Sequence, residues 1–140
     1  MDIHPLTPER WPDFERLFTR GGPQKMCWCM WWRNPPQAER TSAENKASMA
    51  QIVATGREPG LLAYDGDEAV GWIAVAPRSD VDARFTPRAR VYRKLDDVPV
   101  WAVTCFFIRR DHRGRGVGTA LLNAAVDYAF AHGAPMVEAY

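Results

Sequence analysis

The chain has 140 residues, of which 46% are hydrophobic and 25% are charged, and its formal net charge is +1. Such a length and composition suit one globular domain covering residues 1–140. The near-neutral charge argues against a general nucleic-acid-binding protein, which needs a broad basic face. No apolar run is long enough to span a membrane and the N-terminus lacks a signal-peptide layout, so we expect a cytoplasmic protein without a membrane partner.

The first third of the chain predicts a strand followed by two helices. Ile3 is expected in a short strand, and Thr7-Pro8 has the pattern of a helix start. The first helix has an apolar face at Trp11, Phe14, Leu17 and Phe18, and we expect Gly21-Gly22-Pro23 to end it. Thr41 and Glu44 form a capping-box pattern for a second helix, which runs to about residue 55.

The remaining elements complete a mixed α/β order. Two apolar runs flank Asp65-Gly66-Asp67, which predicts a β-hairpin. In the charged connector over 77–99, Thr86-Pro87 predicts a short helix with Val91, Tyr92 and Leu95 on one side. The run 100–108 is apolar at almost every position, which predicts a strand covered on both faces. A helix over 117–132 and a strand over 136–140 follow.

A loop between the last long strand and the last helix carries the strongest functional pattern. It contains four arginines and three glycines, namely Arg109, Arg110, Arg113 and Arg115 with Gly114, Gly116 and Gly118. Glycines let backbone N–H groups approach an anion closely, and arginines and a helix N-terminus favour phosphate oxygens. An arginine-rich surface turn is the alternative. The loop lacks the Gly-Lys-Ser/Thr of a P-loop, and Thr119 stands where a dinucleotide fingerprint needs glycine.

Residues 113–118, Arg-Gly-Arg-Gly-Val-Gly, match the Arg/Gln-x-x-Gly-x-Gly/Ala signature, and the chain resembles the GCN5-related N-acetyltransferase (GNAT) superfamily along essentially its whole length. The resemblance implies a twisted mixed sheet with helices on both faces, and acetyl-CoA as co-substrate. It implies that the pyrophosphate is bound by the loop residues Arg113, Gly114, Arg115, Gly116, Val117, Gly118 and Thr119. The backbone of Phe106, Phe107 and Ile108 would pair with the pantetheine arm beside a bulge, and the Phe106 amide would polarise the thioester carbonyl.

The chemistry that this resemblance implies is direct attack of an amine on the thioester. We therefore expect an N-acetyltransferase acting on a primary amine, with a CoA-binding module of little catalytic activity as the alternative. The general base is open, because Glu68, Asp96 and Asp97 are more simply explained as surface carboxylates. His112 is expected to contact phosphate, and Cys105 to act as a small buried hydrophobe.

Family members usually have one more helix and two more strands after the strand at 136–140, and the tyrosine that protonates the thiolate lies on that helix. Tyr140 lies in the strand instead, so the role is not transferred to it. A sheet that stops at this strand leaves an apolar edge, which tends to recruit another chain. We therefore expect a homodimer in which the partner covers the C-terminal strand.

The segment Cys-Trp-Cys-Met-Trp-Trp at 27–32 holds two of the three cysteines and three of the six tryptophans. It resembles a run in uncharacterised bacterial members of the superfamily. We expect Trp28, Met30, Trp31 and Trp32 to contribute to the acceptor wall of the cleft, suited to an apolar or aromatic amine or to a cation over a ring; the alternative is that they are core residues. Cys27 and Cys29 lack further Cys or His ligands before Cys105, so no metal site is expected.

Overall fold

The computed structural model describes residues 1–20, 22, 24–85 and 98–140. The strands are β1 (Asp2–Pro5), β2 (Gly60–Asp65), β3 (Glu68–Pro77), β4 (Trp101–Ile108) and β5 (Val137–Ala139). The α-helices are α1 (Trp11–Thr19), α2 (Gln24–Cys27), α3 (Ser42–Ala54) and α4 (Val117–Ala131). The expected short helix from Thr86 and the carboxylates Asp96 and Asp97 lie outside the described residues, as do Gly21 and Pro23.

The five strands form one mixed sheet in the order β1-β2-β3-β4-β5. The first three pairings are antiparallel, and β4 pairs with β5 in parallel through Trp101–Val137, Ala102–Glu138 and Val103–Ala139. Parallel neighbours require a crossover connection, and α4 provides it. The sheet therefore has the mixed α/β architecture that the sequence predicts.

Helices cover both faces of this sheet. On one face α1 and α3 bury the first core, in which Phe14, Phe18, Met49 and Trp72 are fully buried. On the other face α4 buries the second core, with Leu121, Ala125 and Ala129 against Ile73 and Val75 of β3. The central strand β3 thus contributes alternate residues to two cores, which is why it is apolar at nearly every position.

Two local features explain how the helices begin. The Thr41 hydroxyl accepts from the Glu44 backbone N–H at 3.1 Å, and the Glu44 carboxylate accepts from the Thr41 N–H at 3.2 Å, so the expected capping box is present. At Thr7 the structure differs from the expectation. Pro8–Arg10 form a 3-10 turn, the α-helix begins only at Trp11, and the Thr7 hydroxyl makes no capping hydrogen bond.

Gly71 fixes how closely α4 approaches the sheet. A Cβ atom at this position would lie 3.0 Å from side-chain carbons of both Val117 and Leu121. The absence of a side chain therefore lets the first turn of α4 pack directly on β3. None of the helices in the described part of the chain is long and apolar enough to span a membrane.

Candidate functional site: the open edge of β4 and the glycine loop

The second half of β4 pairs with a described strand on one edge only. A bulge at Thr104 interrupts the pairing with β3, since Ala74 pairs with Cys105 but Val75 pairs with Val103. On the other edge, pairing with β5 ends at Val103, whose carbonyl accepts from the Tyr140 N–H at 2.9 Å. From residue 104 to 108, no described strand pairs with this edge.

The register of β4 decides which backbone groups face the open edge. The Arg109 N–H donates to the Val70 carbonyl at 2.8 Å, and backbone groups alternate in direction along an antiparallel strand. Phe107 therefore directs its backbone towards β3, whereas Phe106 and Ile108 direct theirs outward. This corrects the expectation for Phe107, whose backbone is engaged with β3 opposite Trp72.

The glycine loop continues directly from this open edge. Gly114 and Gly116 have φ angles of +74° and +79°, in the left-handed region that glycine adopts without strain. Cβ atoms at Gly114, Gly116 and Gly118 would meet no atom within 4 Å. The protein's own packing therefore leaves open space above these backbone groups, beside the N-terminus of α4, as a phosphate-binding cradle requires.

The arginines of the loop have different roles. The Arg109 guanidinium pairs with Asp111 at 2.6 Å and with Glu68 at 3.3 Å, and both carboxylates raise its pKa. Arg113 donates from Nε to the Ile108 carbonyl at 3.0 Å, across the base of the loop. Arg110 and Arg115 are exposed. Arg109 is thus held in structural ion pairs, and the exposed arginines are the better candidates for anion contacts.

His112 does not face the open cradle. Its side chain is buried, with Nδ1 2.9 Å from Asp111 and Nε2 2.9 Å from Asp65. Because both ring nitrogens contact carboxylates, the expected phosphate contact of His112 is wrong. Asp111 and then Asp65 raise the pKa of His112, and His112 in turn lowers the pKa of Asp65.

A cleft of about 1100 Å³ joins the β4 edge to the end of α1. It is lined on the β4 side by Cys105, Phe106, Phe107, Arg109, Arg110, Asp111 and Arg113, and on the helix side by Arg20, Gly22, Gln24 and Cys27. No local sequence pattern marks Arg20, Gln24 and Cys27 as site residues, because only the packing of α1 and α2 brings them here. A second cavity of about 590 Å³ lies beside Trp101 and Tyr128, away from the loop.

Two of the four proposed acceptor-wall residues are core residues instead. Trp28 is 2% exposed, stacks on Trp11 and Phe18, and donates from Nε1 to the Ser42 hydroxyl at 3.0 Å. Met30 is 5% exposed within the same core. The reason is the backbone: Trp28 and Cys29 have positive φ angles of 49° and 60°, which turn the chain sharply into the protein.

Trp31 and Trp32 lie nearer the surface, on the side of β5. Trp31 is 41% exposed, and the Arg84 guanidinium lies 3.7 Å from its ring centroid, so the cation over this ring belongs to the protein itself. The Trp32 ring lies 6.0 Å from that of Tyr140 and 5.8 Å from that of Phe85. Neither tryptophan is among the described residues that line the cleft of about 1100 Å³.

The described part of the cleft offers no evident general base. Asp111 is its only carboxylate among the described lining residues, and Arg109 followed by His112 holds the pKa of Asp111 well below its usual range. Glu68 is paired with Arg109 at the surface. Cys105 lies next to Cys29, and this contact together with burial raises the pKa of the Cys105 thiol. Within the described residues, no group of three or more His, Cys, Asp or Glu side chains is arranged to hold a metal ion.

Comparison with known proteins identifies the class of enzyme to which this site belongs. The chain matches the model of the acetyltransferase (GNAT) family over residues 6–140, and it therefore belongs to that family. This membership supports an acetyl-CoA-dependent N-acetyltransferase. A search of curated protein sequences finds no match.

Solved structures of acetyltransferases share the fold. An apo aminoglycoside 6'-N-acetyltransferase from Acinetobacter haemolyticus is 18% identical, with a TM-score of 0.63, and the match covers 100% of this chain and 79% of that one. An aminoglycoside N-acetyltransferase in complex with CoA is 16% identical, with a TM-score of 0.64 and coverages of 99% and 75%. A ribosomal-protein-alanine N-acetyltransferase from Brucella melitensis is 15% identical, with a TM-score of 0.59 and coverages of 99% and 78%.

Proposed function

We propose that this protein is a cytoplasmic enzyme that transfers the acetyl group of acetyl-CoA to a primary amine of a small molecule or peptide, by direct attack of the amine on the thioester. The observation that carries the proposal is adjacency: one short turn, Arg110–His112, connects the open edge of β4 to a loop whose glycines leave space for an anion. A single ligand with an amide-containing arm and a pyrophosphate would hydrogen-bond to the strand edge and to the loop at the same time.

Each part of the site has a distinct role in this proposal. Backbone N–H groups of residues 114–119 bind the pyrophosphate at the N-terminus of α4, where the helix dipole adds positive potential. The Arg113 N–H donates to the Arg110 carbonyl at 3.4 Å instead. The outward backbone groups of Phe106 and the N–H of Ile108 pair with the pantetheine arm, as a strand would, whereas the Ile108 carbonyl already accepts from Arg113. The Phe106 N–H donates to the thioester oxygen, on which negative charge develops during attack.

The reaction forms a carbon–nitrogen bond and breaks the carbon–sulfur bond. The amine must be neutral to attack, and its proton leaves to solvent, while the departing thiolate takes up a proton. Because Arg109 and His112 hold the pKa of Asp111 low, we assign no base role to this carboxylate. The rate with a simple amine should therefore rise with pH as more of the amine becomes neutral.

The cleft favours a largely apolar acceptor whose groups other than the reacting amine are neutral or acidic. It disfavours a polycation. Phe106 and Phe107 form its apolar wall, and Arg20, Arg110 and Arg113 surround it with positive charge, while Asp111 is already paired with Arg109. An aminoglycoside carries several positive charges, which these arginines would repel. An acceptor screen should therefore compare an aminoglycoside, an alanine-terminated peptide and a hydrophobic monoamine, and we expect the monoamine or the peptide to be acetylated faster.

The primary test uses Gly118, which lies in the first turn of α4 with open space above it. Gly118→Gln should stabilise the helix, because glycine is about 1 kcal/mol less favourable than good helix formers, but its side chain would occupy the phosphate position. We expect calorimetry to show at least about a hundredfold weaker acetyl-CoA binding, equivalent to about 2.7 kcal/mol. Asp127→Gln, at an exposed position of the same helix, is the matched control and should bind normally.

Thiol release in the presence of an amine separates the enzyme from its alternative. A protein that binds acetyl-CoA but releases no CoA thiol with any acceptor would be a CoA-binding module. A wild-type protein that does not bind acetyl-CoA would contradict both hypotheses. Equal binding by wild type and Gly118→Gln would contradict the assignment of the loop.

We also propose that two copies associate through the exposed surface formed by α4 and β5. Leu122, Phe130 and Met136 are 39%, 52% and 55% exposed there, and they line a shallow apolar groove beside Val103. Apolar residues grouped in this way favour association. Light scattering should show a dimer at micromolar concentration, and Phe130→Glu should shift it to monomer; a monomeric wild type would contradict this proposal.

A further inference from the structure

A single buried imidazole connects two separate segments at the base of the glycine loop. His112 closes the 3-10 turn that precedes the loop, and it is only 7% exposed. Its Nδ1 contacts Asp111 in the same turn, and its Nε2 contacts Asp65 at the end of β2, each at 2.9 Å. The contact with Asp65 joins residues 47 positions apart in sequence.

The chemistry of these contacts fixes the protonation state of the ring. An ionised carboxylate only accepts hydrogen bonds, so contacts from both ring nitrogens to carboxylates favour the doubly protonated imidazolium. The charged groups that face it agree with this state: Asp111 and Asp65 raise the pKa of His112, and Arg109 opposes them. The hydrogen bond to His112, and to a lesser extent the charge of Arg115, lower the pKa of Asp65.

The position of this contact matters because it ties the loop to the hairpin, whereas the hydrogen bond from Arg113 to Ile108 ties the loop only to the strand that it follows. Gly114 and Gly116 have no side chains and adopt left-handed backbone conformations. Before them, the turn is fixed to the hairpin by His112–Asp65 and by the more exposed pair Arg109–Glu68. An anion cradle binds tightly only if its N–H groups are already oriented, since ordering them during binding costs free energy.

We propose that His112, held as an imidazolium between Asp65 and Asp111, is the positioning residue for the loop that binds the pyrophosphate of acetyl-CoA, and that its deprotonation weakens acetyl-CoA binding at alkaline pH. The inference rests on the proposed function, because it needs the loop to bind this ligand. His112 itself contacts neither ligand nor reacting atoms. A neutral ring would direct a lone pair at one of the two carboxylates, and the contact between the hairpin and the loop would loosen.

The test is calorimetric titration of acetyl-CoA into the full chain between pH 7 and pH 9.5, with His112→Gln alongside. Wild-type affinity should fall by at least about fivefold across this range, a size typical of coupling between two sites. His112→Gln should bind weakly at pH 7 and show a flat profile. The ionisation of acetyl-CoA itself is common to both proteins, so the difference between their profiles belongs to His112.

Two further variants separate positioning from simple structural support. Asp65→Asn removes one of the two carboxylates that raise the pKa of His112, so its loss of affinity should begin at a lower pH than in wild type. His132→Gln makes the same change at an exposed histidine near the end of α4, and it should keep the wild-type profile. In turnover, His112→Gln should raise the KM for acetyl-CoA more than it lowers kcat.

The outcomes are distinct. A wild-type protein that binds acetyl-CoA equally well across the range overturns the inference and leaves the proposed function standing. A wild-type protein that fails to bind at every pH overturns the proposed function and the inference together. If His112→Gln does not fold, the displacement of the Asp65→Asn profile decides, and an unshifted profile counts against His112.

Discussion

The two halves of β4 belong to one strand but serve different purposes. Residues 101–103 pair with β3 on one edge and with β5 on the other, and Ala102 and Val103 are buried. Beyond the bulge at Thr104, β3 is the only described strand that pairs with β4, and Phe106 is 45% exposed. The site therefore lies where strand pairing stops, because hydrogen-bonding groups that a neighbouring strand would satisfy remain available to a ligand.

We call residues 101–103 of β4 the closed half and residues 104–108 the open half. The largest expected effect on stability comes from Gly71, which pairs with Ile108 of the open half. Gly71→Val would insert a branched side chain where Val117 and Leu121 already approach to 3.0 Å. Overpacking of this kind costs about 1–3 kcal/mol, and we expect the upper end because backbone elements must separate. Urea unfolding measures the change, and acetyl-CoA binding should weaken as α4 shifts. An unchanged midpoint would mean that α4 does not pack here as described.

A slightly smaller effect is expected in the closed half. Val103→Ala removes two methyl groups from a residue that is 2% exposed in the core under α4. We expect a loss of about 2 kcal/mol in the free energy of unfolding, because a cavity replaces packed atoms. The affinity for acetyl-CoA should stay within about twofold, since only long-range coupling connects this position to the loop. A large loss of affinity without loss of stability would reverse the assigned roles of the two halves.

The converse substitution is Phe106→Ala in the open half. Because this side chain is 45% exposed and lines the cleft, its removal should cost less than about 1 kcal/mol in stability. The effect should appear instead in acetyl transfer, as a raised KM for a hydrophobic amine, whereas the backbone N–H of residue 106 is retained. Steady-state kinetics with two amines of different apolar surface measures it. Equal changes in KM for both amines would mean that the apolar part of the acceptor does not contact the Phe106 side chain.

The smallest expected effect concerns acid stability at the base of the loop. In the folded protein the pKa of Asp65 is lowered, first by the hydrogen bond to His112. The ionised carboxylate therefore stabilises the fold at pH values above its unfolded pKa. This contribution is lost as the pH falls through the folded-state pKa. Asp65→Asn should therefore unfold more readily than wild type at pH 7, and the two midpoints should converge towards pH 3. Thermal unfolding across this range measures the difference.

Several features of the fold follow from local sequence patterns. The hairpin at Asp65-Gly66-Asp67, the capping box at Thr41 and the end of α4 before Gly133 all formed as predicted. These patterns act over a few residues, through backbone conformation and short hydrogen bonds, so neighbouring side chains suffice to predict them. The glycine loop is also local, and so its resemblance to the family signature was informative.

Other features depended on contacts between distant segments. The sequence contains both Asp65 and His112, but only the pairing of β2, β3 and β4 brings them within 2.9 Å of each other. The direction of the Phe107 backbone depends on strand register, and one bulge residue reverses the alternation. The burial of Trp28 and Met30 depends on left-handed turns at two residues that are not glycine, which local preference argues against.

By itself, therefore, the sequence determined the kind of fold, the position of the glycine loop and the family to which the chain belongs, because each is encoded in periodicity or in a short motif. Tertiary structure alone decided which backbone groups of β4 remain open, which tryptophans are core and which partners hold His112. Each of these depends on which segments meet across the sheet, and hydrophobic burial over the whole chain determines that arrangement.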